Sequence, residues 1–122
     1  MKKILLVEDD PFLIDIYSTK FRQMDFDVIL AKDGVEALEA MEKDSLDFVI
    51  LDIVLPHVDG WQVLREMKKI EKKKKKKFKV LILSNLGQKE EVEKGLRLGA
   101  TKYLIKSDFT PSEVVQEIKK LI

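Results

Sequence analysis

Cysteine is absent from the chain, which excludes disulfides and thiolate metal sites and fits a reducing compartment. A long hydrophobic run is absent too. The apolar segment after Met1-Lys2-Lys3 is only Ile4-Leu5-Leu6-Val7 and is closed by Glu8-Asp9-Asp10, so it is neither a signal peptide nor a membrane span. A cytoplasmic protein with no membrane partner is expected. Histidine occurs once, at His57, and reads as a solvated loop residue rather than a phosphoryl donor or metal ligand. No internal repeat and no linker interrupts the sequence. Its 122 residues, 45% of them hydrophobic, suit a single domain over residues 1–122 with a real core.

Net charge is nearly absent as well, at +1, but it is unevenly spread. Residues 68–79 hold nine lysines against one glutamate, a local +8 that leaves −7 for the remainder. The run reads as a solvated helix end and loop that repels itself, with a patch for nucleic acid or an acidic partner as the alternative. No aromatic platform or base-reading motif accompanies it, which favours the solvated reading and leaves nucleic acid an added function at most.

What is present is an alternation of short apolar runs with helix-period segments. Ile4 to Val7, Val28 to Ala31, Phe48 to Leu51, Val80 to Leu83 and Lys102 to Ile105 read as strands, the first nearly continuous in apolar residues as befits a strand buried on both faces. Between them, Asp10-Pro11 opens a helix with Leu13, Ile16, Tyr17, Phe21 and Met24 on one stripe, and Asp33-Gly34 opens a second that buries Ala37, Leu38 and Met41. A third follows Gly60, with Val63, Leu64, Met67 and Ile70 inward, and dissolves into the lysine run. The fourth starts near Gln88 with Val92 and Leu96 inward, and Gly99 suits its left-handed C-cap. Thr110-Pro111-Ser112-Glu113 is a capping box that starts the last helix, with Val114, Val115, Ile118, Leu121 and Ile122 on its apolar side. Five strands alternating with five helices make an α/β parallel sheet covered on both faces, a three-layer doubly wound arrangement.

In such sheets the ligand site lies beyond the carboxyl ends of the strands. Those ends carry Glu8, Asp9 and Asp10 after strand one, Asp52 after strand three, Ser84 and Asn85 after strand four, and Lys106 after strand five. Asp52 is the residue that local physics resists, because its desolvation is unfavourable and Asp is a poor strand former. A plainer reading is a strand ending at Leu51, with Asp52 starting a loop. The cluster weighs against that reading being the whole account. Several carboxylates together push one pKa upward unless a cation sits among them, and oxygen ligands from Asp9 and Asp52, with Glu8 acting through water, suit Mg²⁺. With Lys106 and a hydroxyl beside them, these groups form a place to receive a phosphoryl group. Asp52 would be the nucleophile.

The residues Leu6-Val7-Glu8-Asp9-Asp10, Val49-Ile50-Leu51-Asp52, Leu55-Pro56, Asp59-Gly60, Leu83-Ser84, Gly99-Ala100 and Tyr103-Leu104-Ile105-Lys106 resemble, in this order and spacing, the bacterial response-regulator receiver domains, the family of the chemotaxis regulator, from Lys3 to Leu121. The resemblance implies a flavodoxin-like sheet of strand order 2-1-3-4-5. It implies that Asp52 is the phosphoacceptor, that Glu8 and Asp9 are the acidic pair, and that Asp9, Asp52 and the backbone carbonyl of Val54 hold Mg²⁺, with Mn²⁺ as the alternative. Lys106 then pairs with the phosphoryl group, Ser84 is the switch hydroxyl, and Tyr103 is the aromatic that follows it inward. The donor would be a phosphohistidine on a sensor histidine kinase or histidine phosphotransfer protein. Helix four, strand five and helix five would form the output surface for a downstream effector, in a monomer or a phosphorylation-dependent dimer. Such a domain promotes its own phosphorylation and slow dephosphorylation and is not a conventional turnover enzyme.

The chain departs from the family pattern in two places. Lys106 is followed by Ser107 where the family usually has proline, so a trans peptide is expected. The lysine run is no part of the family pattern and falls at the amino end of strand four, away from the site. Val54 and Leu86, two residues past Asp52 and Ser84, are apolar and cannot orient an attacking water, which predicts slow hydrolysis of the aspartyl phosphate. Of the rival classes, a haloacid-dehalogenase-like phosphatase needs a second acid that Asp52-Ile53-Val54 lacks. A flavodoxin-like FMN binder needs a phosphate loop where Glu8-Asp9-Asp10 would repel phosphate. Asp10 is expected to cap helix one, and Trp61 to be packed or half exposed without a chemical role.

Overall fold

A computed structural model describes residues 2–122; Met1, within the expected 1–122 span, lies outside the described residues. The apolar runs form β1 (Lys3–Val7), β2 (Asp27–Ala31), β3 (Phe48–Leu51), β4 (Val80–Ser84) and β5 (Lys102–Ile105), all parallel, in the order 2-1-3-4-5. Strand side chains alternate between faces, and this alternation divides the core in two. Leu5, Val7, Val49, Leu51, Val80 and Ile82 pack on α2 (Gly34–Lys43) and α3 (Gly60–Lys74). Ile4, Leu6, Phe48, Ile50, Leu81 and Leu83 pack on α1 (Pro11–Gln23) and α5 (Pro111–Leu121). Burial of each large side chain stabilises the fold by about 1.5–3 kcal/mol, and the three central strands, buried throughout apart from Lys3 at the start of β1, carry most of it. The edge strands β2 and β5 are only half covered.

The helix starts follow from their caps. Asp10, Asp33 and Asp59 each accept a backbone N–H of the first turn, and Thr110 and Glu113 cap each other reciprocally. Among the described residues no helix is long and apolar enough to cross a membrane.

Two elements differ from expectation. In α4 (Lys89–Arg97) Leu96 is 45% exposed, and the buried residue is Gly95. A Cβ there would sit 2.7 Å from Ile82 Cδ1 and 2.8 Å from Tyr103 Cδ2, so the helix lies against the sheet through a residue with no side chain. The lysine run forms the expected helix end and turn, but its later residues are anchored rather than solvated. It continues α3 through Lys74, and Lys75 turns the chain in the left-handed region (φ 53). Phe78 then enters the core.

Candidate functional site

Backbone bonding continues one residue past the strands that meet at the carboxyl edge. The Glu8 N–H donates to the Ala31 carbonyl (3.0 Å) and the Asp52 N–H to the Val7 carbonyl (3.1 Å). Both acids are thereby fixed while still inside the fold, with Glu8 2% and Asp52 5% exposed. β3 does end at Leu51, so the plainer reading of Asp52 as the first loop residue holds alongside its burial. Gly60, at the far end of that loop, donates its N–H to the Ile53 carbonyl at 2.8 Å. A side chain there would meet the Asp52 carbonyl oxygen at 2.5 Å, so the loop closes this tightly only with glycine.

Lys106 begins a short 3₁₀ turn (Lys106–Asp108), and its peptide to Ser107 is trans, as expected. Its Nζ donates to Asp52 Oδ2 at 2.6 Å and to Glu8 Oε1 at 2.7 Å. The remaining oxygens are also held. Glu8 Oε2 accepts the Asp9 and Asp10 N–H groups (3.1 and 3.2 Å), and Asp52 Oδ1 accepts the Val54 N–H (3.2 Å).

One ammonium thus serves two buried carboxylates, and the electrostatics follow. Burial pushes the Glu8 carboxyl above the usual range, helped by the charge of Asp52 and opposed by its bond to Lys106. Burial alone would lower Lys106, but its bonds to Asp52 and Glu8 outweigh that and raise it. The lysine therefore stays charged across the neutral range.

Oxygen atoms of Glu8, Asp9 and Asp52 lie within 4.8 Å of one another. The donor set is all oxygen, with an excess of negative charge, and Asp9 is exposed on the solvent side where bound waters have room. These residues fit a hard divalent cation such as Mg²⁺ that retains part of its hydration. Val54, in the loop beside Asp52, is 59% exposed.

Ser84 closes β4, fully buried, and its Oγ accepts the Leu86 N–H at 3.3 Å. The Tyr103 hydroxyl donates to the Leu86 carbonyl, and burial of the phenol, with the charge of Glu91, raises its pKa. Both residues are therefore joined to one backbone position, Leu86, between the site and the outer face of β5. Leu86 was legible only as an apolar neighbour, because sequence carries no sign of a main-chain partner.

His57 is a solvated loop residue, as expected, with its side chain 71% exposed. It adopts a positive φ of 65, and its Nδ1 lies 2.8 Å from Asp33 Oδ2, tying the loop after β3 to the start of α2. The Glu36 N–H and this contact hold the Asp33 carboxyl below the usual range. Trp61 is half-buried, as expected, with Lys94 Nζ 4.4 Å from its ring centre.

The chain matches the response regulator receiver domain model over residues 4–119. It is 33% identical over 121 residues to the alkaline phosphatase synthesis transcriptional regulatory protein PhoP of Bacillus subtilis, covering 99% of this chain and 48% of that protein. Among solved structures it is similar to the receiver domain of the Francisella response regulator 1452 (31% identity, TM-score 0.84, covering 99% of this chain and 96% of that one). The non-phosphorylated HemR receiver domain of Leptospira biflexa is similar too (28%, TM-score 0.88, 98% and 93%). The chain spans about half the length of the curated relatives it matches.

Proposed function

The chain belongs to the response regulator receiver domain family of two-component signalling, and from that premise we propose that Asp52 accepts a phosphoryl group from a phosphohistidine of a sensor kinase or phosphotransfer protein. The observation that carries the reading is the Lys106 ammonium bridging Asp52 and Glu8 inside a buried acidic edge, with Asp9 beside them. An Asp52 oxygen attacks phosphorus in line, the bond from phosphorus to the imidazole nitrogen breaks, and the imidazole leaves. Lys106 exchanges a carboxylate oxygen for a phosphoryl oxygen, so its charge stays paired while negative charge moves outward. Glu8, Asp9, Asp52 and the Val54 carbonyl would hold Mg²⁺, or Mn²⁺, which when bound neutralises charge on the equatorial oxygens.

Ser84 then turns toward the new phosphoryl oxygen. Its bond to the Leu86 N–H is given up, and Tyr103, bonded to the same residue, moves with it. This couples the site to the face of α4, β5 and α5, where an effector or a second copy docks. The reading places residues 1–122 as one receiver domain in the cytoplasm, a phosphoacceptor rather than a turnover enzyme.

Intact mass after treatment with a small-molecule phosphodonor and Mg²⁺ tests it. A single phosphate adduct is expected, absent in Asp52→Ala; an adduct that survives in the variant overturns the assignment. Val54 and Leu86 border the approach and offer water no hydrogen bond, so the adduct is slow to hydrolyse. Val54→Asn with Leu86→Glu should shorten its lifetime at least about tenfold, followed by the same mass measurement over time.

A further inference from the structure

We propose that the lysine-lined concavity at the amino ends of the strands docks the phosphate backbone of duplex nucleic acid. The sequence favours a solvated helix end and loop over a patch for nucleic acid or an acidic partner, and a solvated loop would hold no fixed surface. The fold instead anchors the run. Lys74 Nζ donates to the Met41 and Asp44 carbonyls (2.8 and 3.0 Å), and Lys76 Nζ to that of Leu46 (2.7 Å). Phe78 is buried, and its N–H donates to Glu71 Oε2 at 2.8 Å.

On this base a concavity of about 480 Å³ is lined by Lys68, Glu71, Lys72, Lys75, Lys76 and Lys77. Its one acid is already engaged, by the Phe78 N–H and by Lys68 at 3.7 Å. Of the other acids near the run, Glu66 faces Lys69, Glu42 faces Lys73 and Asp47 accepts the Lys3 N–H, while the Asp44 carboxylate has no partner among the described residues. Lys72, Lys75 and Lys77 have no ion-pair or hydrogen-bond partner among the described residues, and the carbonyls that hold Lys74 and Lys76 leave their charge in place.

The shape and chemistry select the occupant. A concave surface receives a projecting strand of phosphates better than a flat bilayer, and the apolar side chains that could enter a membrane, Ile70 and Phe78, are buried. Lysine binds phosphate as a point charge, and several lysines set side by side in one concavity suit a chain of phosphates. No aromatic side chain is exposed in the concavity, so bases are not stacked or read, and the contact is to backbone alone. The acidic edge of Glu8, Asp9 and Asp52 lies at the opposite end of the strands and repels phosphates. A bound duplex therefore meets the domain from one end and leaves the other open. This inference does not depend on what Asp52 does.

Fluorescence anisotropy of the full chain with a labelled duplex of about 20 base pairs, between about 50 and 200 mM salt, tests it. Binding is expected, with log K falling against log salt at a slope of about −3 to −4.5, as for roughly three to five phosphates. Lys72→Gln, Lys75→Gln and Lys77→Gln together should weaken binding at least about tenfold at the lowest salt and flatten the slope by about 2 to 3. The same three positions as arginine should retain binding, which separates charge from folding. No binding at about 50 mM salt, or a glutamine variant that binds like the parent, overturns the proposal. So does tighter binding, at equal salt, to phosphatidylserine vesicles or to a polyglutamate peptide.

Discussion

The two ends of the sheet use lysine in opposite ways. At the carboxyl end Lys106 is drawn into the fold between Glu8 and Asp52, and each carboxylate oxygen it does not touch is met by a backbone N–H. At the amino end Lys74 and Lys76 bond neutral carbonyls, while Lys72, Lys75 and Lys77 have no partner among the described residues. Electrostatic free energy is therefore stored at the carboxyl end. Charges held out of water depend strongly on one another, whereas exposed charges are screened within about 10 Å at ordinary salt and depend on each other little. An element able to respond to one added charge belongs at the first end, and a surface that gathers counter-charge at the second.

The largest effect that would break this comparison is expected from Lys106→Met. It leaves two buried carboxylates with no cation, and the loss in unfolding free energy at neutral pH should be about 3–5 kcal/mol by urea titration. The loss should shrink as pH falls, because Glu8, whose pKa is already raised, takes up a proton more readily than an ordinary carboxylate and a neutral carboxyl needs no cation. The signs in the parent protein follow in the same way. Lys106 is raised, so its contribution is fully present below its ordinary 10.5 and disappears only as pH climbs through the folded value. Glu8 is raised as well, and for an acid this means that stability falls as pH rises from 4.5 through the folded value. A loss below about 1 kcal/mol in Lys106→Met would mean that both ends behave as surface.

The intermediate effect belongs to the anchored lysines. Lys74→Met with Lys76→Met removes the donors from the Met41, Asp44 and Leu46 carbonyls, at and just beyond the end of α2. Water can replace part of what is lost, so the destabilisation should be about 1–2 kcal/mol by urea titration. A change as large as that of Lys106→Met would erase the contrast between the ends.

The same contrast accounts for what was legible in the sequence. Helix starts and the convergence of Glu8, Asp9, Asp52, Ser84 and Lys106 on one edge follow from residue patterns, because apolar runs and capping acids are local, whereas the strand order is implied only by the family resemblance. The face of α4 was misjudged because Gly95 has no side chain to signal burial, while Leu96 has one that stays outside. The contact of His57 with Asp33 and the anchoring of Lys74 and Lys76 join residues far apart in sequence, and in the lysines' case to main-chain oxygens. No residue-type pattern records such a partner. The lysine run therefore read as a solvated helix end and loop, although Phe78 within it was an apolar residue with a place to go.

The smallest effect should come from Lys73→Gln, and it bears on the comparison most finely. Lys73 faces Glu42 at 3.5 Å, a distance close enough to be drawn as a salt bridge. Yet the lysine side chain is 73% exposed and the glutamate 43%, so water competes for both charges and ordering two long side chains opposes the attraction. The expected change is within about 0.5 kcal/mol, and it should vanish with added salt. Lys106, with similar atoms at shorter range but almost no water, is the control. If the two substitutions differed only as their distances do, separation would be the governing variable; a difference several times larger assigns it to desolvation.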